Sequence, residues 1–380
     1  MKKGKFTALF FVICLCAVQA LCLIKPQVDF SENENRNLQT FPELSLQTVF
    51  SGQFMKQYDS YTADQFLFRD QWVSLATREL LAIGKRDNQK TYFGKDGYLF
   101  AVDTIDQRQL EKNQLFLQEF LQKAKRKNPD LHATVMIVPT ASAVLSEKLP
   151  YGAPVPQEIP LIASIGSSVE GLATFCDPTQ TLLAHADENI YYRTDHHWTS
   201  LGAYYAYTAW AGSQGVSAHD LTDYHVNTVS DSFLGTTYSK ANLTSIKPEE
   251  IQTFERKDVP KATMQVHTGK EVKFFDSLYD ESYLSKKDKY SCFLSSNNPL
   301  VTIETGIKNG KTLLVVKDSF ANSFVPFLTG EYERIFVVDP RYQRNGILSM
   351  IGQESVTDVL VLYNLVNFCN DTNLISLVRE

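Results

Sequence analysis

The chain has 380 residues, of which 43% are apolar, and its formal net charge is −6. This length and apolar content suffice for one large α/β domain with an appendage. Without the three lysines before residue 6, the chain carries about nine net negative charges. An acidic chain without a basic stripe has little with which to neutralise phosphates, so the composition argues against a nucleic-acid partner.

The N-terminal segment, residues 1–24, has the composition of an export signal. Three lysines precede an apolar run over residues 7–24, which Lys25 and Pro26 end. A run of about 18 apolar residues is at the short end for a membrane span, and Val18-Gln19-Ala20 is also compatible with cleavage by a signal peptidase. The segment therefore predicts either a retained signal anchor, with its lysines on the cytoplasmic side, or a cleaved signal peptide.

Cysteine usage does not indicate a disulfide framework. Three of the six cysteines lie in the apolar segment, which leaves Cys176, Cys292 and Cys369 in the exported part. An odd number at wide spacing allows at most one disulfide, and the sequence leaves open whether it forms.

After the apolar segment, residues 25–45 are polar and predict a linker. Residues 46–90 place apolar side chains at helical spacing and predict a helical lead-in. The α/β domain is expected over residues 91–380, and it begins with a hairpin around residues 92–100, where Asp96-Gly97 supplies the turn.

Strand and helix patterns then alternate. A helix is predicted over residues 107–127 and a strand over 133–138. Further strands are predicted at 190–193, 272–275, 312–316, 334–338 and 356–363. Several are continuous apolar runs, as in a sheet covered on both faces, so the pattern predicts a doubly wound, mainly parallel sheet with helices on both faces. Residues 218–310 are more loosely patterned and predict an insertion with substrate-facing loops around 234–242.

The segment Thr194–Trp198 (TDHHW) contains an acid and a histidine two residues apart. In an extended segment, Asp195 and His197 share one face while His196 points away. A carboxylate beside an imidazole fixes its tautomer and leaves the second ring nitrogen free to act as a base. The spacing therefore predicts the Asp–His pair of a serine enzyme.

Ser319 is the best candidate for the nucleophile. An apolar run over residues 313–316 leads into Lys317-Asp318-Ser319 and then into a helical apolar pattern, which predicts a strand, a sharp turn and a helix. A serine there stands at the carboxyl end of a buried strand, where we expect the first N–H groups of the helix to stabilise an oxyanion. Ser239 is a weaker candidate, since no buried strand precedes it.

Other interpretations of these residues remain open. Asp195 and His197 are also suitable as caps of the next helix. Adjacent Asp, His and His are good zinc ligands, but a zinc site needs a further ligand, and none is found at a recognisable metal spacing among His132, His185, His219, His225 and His267. We therefore expect no metal. Asp318 is expected to favour the helix N-terminus rather than to act as the triad acid.

Four polar residues are weaker candidates for contacts to an oxyanion or to a sugar hydroxyl. Asn322, Tyr238 and Arg341 lie near predicted strand ends or turns. His196 is either structural or in contact with substrate.

The elements Asp195-His196-His197-Trp198 and 317–322 together resemble the bacterial DHHW family, which is similar to the SGNH-hydrolase-like alginate O-acetyltransferases. In those enzymes an Asp-x-His-Trp element precedes a serine on a strand-turn-helix. Asp195, His197 and Ser319 match these positions, with Trp198 as a structural residue. Four further stretches also resemble the DHHW pattern: 34–36, 93–99, 138–140 and 339–342. The chain departs from the acetyltransferases where Lys317-Asp318 replaces their usual Gly-Thr.

The resemblance implies an SGNH-hydrolase-like fold and an exported, membrane-tethered enzyme that transfers an acyl group, typically acetyl, to a polysaccharide without a cofactor. It would act at the extracytoplasmic face of a bacterial membrane, or as a secreted protein if the signal is cleaved. Because acyl-CoA is absent outside the cell, a multi-pass membrane O-acyltransferase is expected to hand over the acyl donor. Two alternatives are a polysaccharide acetyl esterase with the same triad and a non-catalytic polysaccharide-binding accessory protein.

Overall fold

A computed structural model describes residues 2–31, 33–34, 36–243 and 245–379. The chain divides into two compact units. The first contains the residues up to Asn88 together with Tyr238–Ile246, and the second contains Gln89–Thr237 and Lys247 onward. The substrate-facing loops predicted around 234–242 are thus divided between the two units.

The first unit is mainly helical. Its elements in the N-terminal segment are α1 (Lys2–Ile24), β1 (Phe30–Ser31), β2 (Arg36–Asn37), α2 (Leu46–Phe50), α3 (Gln53–Asp64) and α4 (Arg69–Ala82). Among the described residues, α1 is the one helix long and apolar enough to cross a membrane, and this property is shared by signal sequences.

The stretch predicted to be an irregular linker is more ordered than expected. β1 and β2 pair in antiparallel fashion, and the guanidinium of Arg36 donates two hydrogen bonds, of 2.6 and 2.9 Å, to the carboxylate of Asp64. Gln65 accepts from the N–H of Val28 and donates to its carbonyl. These hydrogen bonds tie Val28 and Arg36 to the end of α3. Asn35, part of one stretch that resembles the DHHW pattern, lies outside the described residues.

The second unit is an α/β domain. Its strands are β3 (Thr91–Phe93), β4 (Leu99–Ala101), β5 (His132–Val138), β6 (Thr174–Cys176), β7 (Tyr224–Phe233), β8 (Glu249–Arg256), β9 (Thr263–His267), β10 (Val272–Phe275), β11 (Leu300–Glu304), β12 (Thr312–Lys317), β13 (Arg334–Val338) and β14 (Asp358–Asn364). Its helices are α5 (Gln107–Lys127), α6 (Ala141–Val144), α7 (Glu158–Ser168), α8 (Thr179–Ala184), α9 (Ser200–Ser213), α11 (Ala321–Phe324), α12 (Ile347–Gln353) and α13 (Leu365–Asn370), and α10 (Thr236–Ala241) crosses the boundary between the units.

The central sheet has eight strands in the order β10-β9-β11-β13-β12-β14-β5-β6. The five strands from β13 to β6 are parallel, whereas β10, β9 and β11 extend the sheet in antiparallel fashion. The looser region of the sequence therefore does more than form an insertion, because it supplies three strands of the main sheet. It also contributes the separate β7–β8 hairpin.

Both faces of the sheet are covered. Along β12, Leu313 and Val315 pack with α9 residues in one core cluster, while Leu314 and Val316 pack with α5 and α12 residues in another. This alternation follows from the two-residue period of a strand, and burial on both sides explains the continuous apolar runs. The predicted mainly parallel α/β fold is confirmed.

The prediction of a strand at residues 190–193 is wrong. A single bridge joins Tyr191 to Trp198, and the N–H of Tyr192 donates to the carbonyl of His197. The N–H of Thr199 likewise donates to the carbonyl of Ile190. These apolar residues are buried because the chain folds back on itself in a tight loop, and not because they join the sheet.

Candidate active site

Ser319 lies two residues beyond the end of β12. The carboxyl ends of β12, β14 and β5 reach the same edge, since these strands are parallel neighbours. Side chains that follow such strands gather at that edge. Only 7% of Ser319 is exposed, so the sheet presents the hydroxyl in a largely enclosed position.

The helix after Ser319 differs from the expectation. It comprises the four residues of α11 and continues as a 3-10 helix over Val325–Gly330 that contains a proline. The N–H of Phe320 donates to Asp318 Oδ1, the N–H of Ala321 to the Asp318 carbonyl, and the N–H of Asn322 to the Ser319 carbonyl. The prediction that the first N–H groups of this helix are available to an oxyanion is therefore wrong.

The structure brings Asp195, His197 and Ser319 together. His197 Nδ1 lies 2.5 Å from Asp195 Oδ1, and His197 Nε2 lies 2.7 Å from Ser319 Oγ. With Asp195 as acceptor, Nδ1 carries the proton and Nε2 is left as the acceptor for the serine hydroxyl. This hydrogen-bonded series can move the serine proton to His197 while Asp195 stabilises the resulting charge.

Asp195 is held by residues that the sequence analysis did not assign to the site. Its Oδ2 accepts hydrogen bonds from the N–H of Thr236, at 2.7 Å, and from the Thr236 hydroxyl, at 2.8 Å. Burial raises the pKa of Asp195, but the electrostatic attraction of His196 and His197 and the hydrogen bonds from His197 and Thr236 outweigh it, so that the pKa lies well below its usual value. Asp195 is therefore a stable carboxylate.

His196 does not point away from the pair, because the loop is not extended. Its ring centroid lies 3.8 Å from that of His197, and its Nδ1 lies 2.6 Å from the hydroxyl of Thr236. The N–H of His197 donates to Asp195 Oδ1. This hydrogen bond closes a turn, and the turn brings the consecutive side chains of His196 and His197 to one side.

A zinc site fits these residues less well than a triad. Asp195, His196 and His197 offer ligand atoms within 4.8 Å of one another, and no other described His, Cys, Asp or Glu joins this group. Both ring nitrogens of His197 already take part in hydrogen bonds, to Asp195 and to Ser319. A metal ion would have to displace one of them.

Glu249, at the start of β8, supports the loop that carries Asp195 and His197 by binding the two residues before them. Its carboxylate accepts from the N–H groups of Arg193 and Thr194 and from the Thr194 hydroxyl, each at 2.7 Å. Burial raises the pKa of Glu249, and the Thr194 and Arg193 contacts oppose the rise. No local pattern distinguishes this glutamate from the exposed Glu250 beside it.

Trp198 lies between Asp195–His197 and the residues that follow Ser319. It is fully buried, and its Nε1 donates to the Phe320 carbonyl and to the Ser323 hydroxyl, both at 2.9 Å. The indole thereby connects residues 190–199, the histidine loop, to the turn that carries Ser319.

Tyr290 is a further site residue that the sequence analysis missed. Its ring stacks on His197, with centroids 3.8 Å apart and planes 9° from parallel, and its hydroxyl donates to the Ser319 carbonyl at 3.1 Å. It belongs to a short 3-10 helix, Lys289–Cys292, in the loosely patterned region, where no periodicity marked it.

Arg341 is engaged with Asp339, which follows β13. Its Nε and Nη2 donate to the carboxylate of Asp339 at 2.8 and 2.5 Å. Lys317 donates to the same carboxylate at 3.4 Å and to Asn297 Oδ1 at 2.6 Å. Burial lowers the pKa of Lys317 to about 8, against the attraction of Asp339. This ionic cluster includes Lys317, two residues before Ser319, and a substrate contact by Arg341 stays a prediction.

Asn322 is buried in α11, where its Nδ2 donates to Asn297 Oδ1 at 3.3 Å and its Oδ1 has no partner. Asp318 caps the turn: its Oδ2 accepts from the N–H of Asn364 and from the amide of Asn367. Burial raises the pKa of Asp318, and the Asn367 hydrogen bond opposes the rise. Asp318 therefore links β12 to α13, and a role for Asn322 toward an oxyanion stays a prediction.

Two candidates from residues 235–239 belong to the first unit. Tyr238 and Ser239 lie in the part of α10 assigned to it. This unit contains no histidine, so no imidazole within it can act as the base for Ser239. A substrate contact by Tyr238 stays a prediction.

Three solved structures of other proteins are similar to this chain to different degrees. A DHHW family protein from Eubacterium siraeum is 27% identical, with a TM-score of 0.63 over 77% of this chain and 95% of the other. Bacillus cereus PatB1, in a structure with a sulfonyl adduct, is 19% identical, with a TM-score of 0.61 over 73% and 94%. The O-acetyltransferase domain of Pseudomonas putida AlgJ is 14% identical, with a TM-score of 0.47 over 75% and 94%.

No curated protein matches the chain. The family described as DHHW protein matches residues 159–338, a region that includes both the histidine loop and Ser319. The predicted SGNH-hydrolase-like fold agrees with the solved structures, and the predicted resemblance of this chain to the DHHW family is confirmed over the matched residues.

Proposed function

We propose that this chain is an exported, membrane-tethered O-acyltransferase that transfers an acetyl group to a hydroxyl of a cell-surface or secreted polysaccharide. The observation that carries the proposal is the hydrogen-bonded series Asp195–His197–Ser319, with 2.5 and 2.7 Å between successive side-chain atoms. The low pKa of Asp195 supports its role as the charged partner of the base. The apolar α1 supports export and tethering.

In the first half-reaction, Ser319 Oγ attacks the carbonyl carbon of the acyl donor while His197 Nε2 takes its proton. The electron pair moves to the carbonyl oxygen, and its return expels the donor's leaving group, which takes the proton from His197. An acyl ester on Ser319 remains. In the second half-reaction, the sugar hydroxyl attacks this ester, His197 takes the hydroxyl proton and returns it to Ser319 Oγ.

The donor requires a partner. Because acyl-CoA is confined to the cell interior, an acyl group must cross the membrane before it reaches Ser319. We propose that a multi-pass membrane O-acyltransferase supplies it. Affinity purification of the tagged full chain from mild detergent should recover such a protein, and its repeated absence from cells that acetylate the polymer would count against this part of the proposal.

Covalent labelling tests the nucleophile. The full chain in detergent is incubated with 4-nitrophenyl acetate or with a phenylsulfonyl fluoride, a reagent class chosen because PatB1 has been observed with a sulfonyl adduct. Peptide mass spectrometry should place the adduct on Ser319. The adduct should be lost in Ser319→Ala and retained in Ser239→Ala, and an adduct that persists in Ser319→Ala would contradict the proposal.

A second assay separates the transferase from the esterase. With 4-nitrophenyl acetate as donor and an unacetylated oligosaccharide as acceptor, a transferase yields acetylated sugar in a Ser319-dependent way. An esterase releases acetate from an acetylated glycan and leaves the unacetylated one unchanged. Polymer acetylation that is unaltered in cells carrying Ser319→Ala would instead identify a non-catalytic accessory protein.

A further inference from the structure

Tyr290 is in contact with both the base and the backbone of the nucleophile. It is 4% exposed, and its phenol ring is nearly parallel to the imidazole of His197 at a centroid distance of 3.8 Å. Rings of this kind attract one another and exclude water from the face they cover.

His197 is held between two rings. His196 also lies 3.8 Å from the His197 centroid, at an angle of 39°. Two rings this close to a third cannot occupy the same face, so Tyr290 and His196 must cover opposite faces of the imidazole. Rotation of His197 about its Cβ–Cγ bond would drive the ring into one of these neighbours, and Nε2 is thereby kept directed at Ser319 Oγ.

The hydroxyl of Tyr290 completes a directional chain of hydrogen bonds. Trp198 Nε1 donates to Ser323 Oγ, and the Ser323 hydroxyl lies 3.1 Å from Tyr290 Oη. Because the single Tyr290 proton is donated to the Ser319 carbonyl, Ser323 must be the donor to Tyr290. Burial raises the pKa of Tyr290 well above its usual value, which keeps this hydroxyl protonated.

The same peptide group is held from its other side. The N–H that follows the Ser319 carbonyl belongs to Phe320, and it donates to Asp318 Oδ1 at 2.9 Å. With Tyr290 on the oxygen and Asp318 on the nitrogen, the plane of the Ser319–Phe320 peptide is fixed. The direction of the Ser319 side chain depends on this plane.

We propose that Tyr290 is a positioning residue of the acyl-transfer site, which holds the His197 imidazole with its ring and the Ser319 backbone with its hydroxyl. The inference rests on the proposed function, since it assigns Tyr290 a role through Ser319 and His197. Tyr290 itself exchanges no proton and forms no covalent bond in the proposed reaction.

Two variants separate the two contacts. Tyr290→Phe keeps the stacked ring and removes the hydroxyl, and Tyr290→Leu removes both. Tyr279→Phe is the matched control, because Tyr279 is a second tyrosine of the same aromatic cluster whose hydroxyl is bonded to the backbone of Phe254 rather than to the site. The kinetics of 4-nitrophenyl acetate turnover are measured for each full-length variant, together with thermal unfolding.

Loss of one neutral hydrogen bond should lower kcat about fivefold in Tyr290→Phe with KM for the small ester unchanged. Loss of the ring should lower kcat about 100-fold in Tyr290→Leu, since a small misplacement of a catalytic group has effects of that order. Tyr279→Phe should lower the unfolding temperature and keep kcat within about twofold. Ser323→Ala, which removes the donor to Tyr290, should lower kcat about threefold.

The inference is overturned if both Tyr290 variants retain the kcat of the wild type, or if Tyr279→Phe lowers kcat as much as Tyr290→Phe does. Failure of the proposed function is a different result, because the wild-type protein would then show no Ser319 adduct and no turnover that depends on Ser319. If Tyr290→Leu does not fold, Tyr290→Phe and Ser323→Ala decide the question.

Discussion

The nucleophile turn, residues 317–324, is placed by the sheet, whereas the histidine loop, residues 190–199, is placed by side chains from distant parts of the chain. β12 has a parallel neighbour on each side, and the residues on both of its faces are buried. The histidine loop has a single bridge of its own. It depends on Thr236, Glu249 and Tyr290 for its position.

This difference teaches where the site is vulnerable. Many backbone hydrogen bonds and apolar contacts of β12 hold the nucleophile turn in place. The loss of one side chain therefore changes its position little. The loop depends on a few buried polar contacts, and each buried group left without its partner costs about 1–3 kcal/mol. Substitutions of the residues that support the loop should therefore lower the catalytic rate more than the distance of these residues from Ser319 suggests.

Asp195→Asn should have the largest effect, a decrease of about 10⁴-fold in the rate of Ser319 acylation, because an amide no longer fixes the productive tautomer of His197. Stopped-flow release of 4-nitrophenol measures it. The exposed Asp187→Asn serves as control. A decrease below tenfold would contradict the role of Asp195.

The same variant predicts a change in acid stability. The pKa of Asp195 is lowered in the folded chain relative to its ordinary value of 3.8, so its stabilising contribution is present above that value and is lost as the pH falls below it toward the folded-state pKa. Unfolding temperatures at pH 7 and about pH 3 should therefore differ less in Asp195→Asn than in the wild type. An equal difference would show that the carboxylate does not contribute.

Gly235→Ala should rank next, with a decrease of about 10³-fold in acylation rate. A Cβ at residue 235 would stand 2.7 Å from Asp195 Cγ and closer still to its Cβ and Oδ2, so the carboxylate must move. Gly212→Ala is the matched control, since a Cβ there meets no atom within 4 Å and the residue is helical. The control should be neutral or slightly stabilising, and equal losses in both variants would contradict the steric argument.

Glu249→Gln should lower the acylation rate about tenfold and the free energy of unfolding by about 1–3 kcal/mol, because an amide cannot accept all three hydrogen bonds from Arg193 and Thr194. Urea unfolding and acylation kinetics measure the two effects. The exposed neighbour provides the control, and Glu250→Gln should stay within about 0.5 kcal/mol of the wild type. Similar values for the two variants would remove Glu249 from the support of the loop.

Lys317→Met tests the nucleophile turn, and of these variants it should have the smallest effect on the site. The pKa of Lys317 is about 8 in the folded chain and near 10.5 in an ordinary lysine. Between these values the unfolded chain binds a proton that the folded chain has released, so this lysine makes stability rise with pH. The gain in unfolding free energy from pH 7.5 to about 9.5 should be smaller in the variant than in the wild type. An equal gain would show that the pKa of Lys317 is not lowered in the folded chain.

The antiparallel strands show why part of the fold was not predicted. The strand β10 was predicted, but β9 and β11 are short and alternate between buried and more exposed side chains, so their sequence looks loose. Their place in the sheet is fixed by the pairing of β11 with β13 and of β9 with β11, a relationship between segments that no local pattern contains. The strands buried on both faces, by contrast, are marked by their own composition.

By itself the sequence determined the elements that local patterns specify: the helix at Gln107–Lys127, the hairpin of β3 and β4 and the buried strand before Ser319. It also determined Asp195 and His197 as candidates for chemistry, through the spacing of a short motif, and Ser319, through the apolar run and turn that lead to it. Only the tertiary structure decided that residues 190–199 form a loop, that His196 stacks on His197, and that Gly235, Thr236, Glu249 and Tyr290 support the site. The physical reason is that these contacts are side-chain hydrogen bonds, ring contacts and close packing between residues far apart in the chain, and their geometry exists only after the backbone has folded.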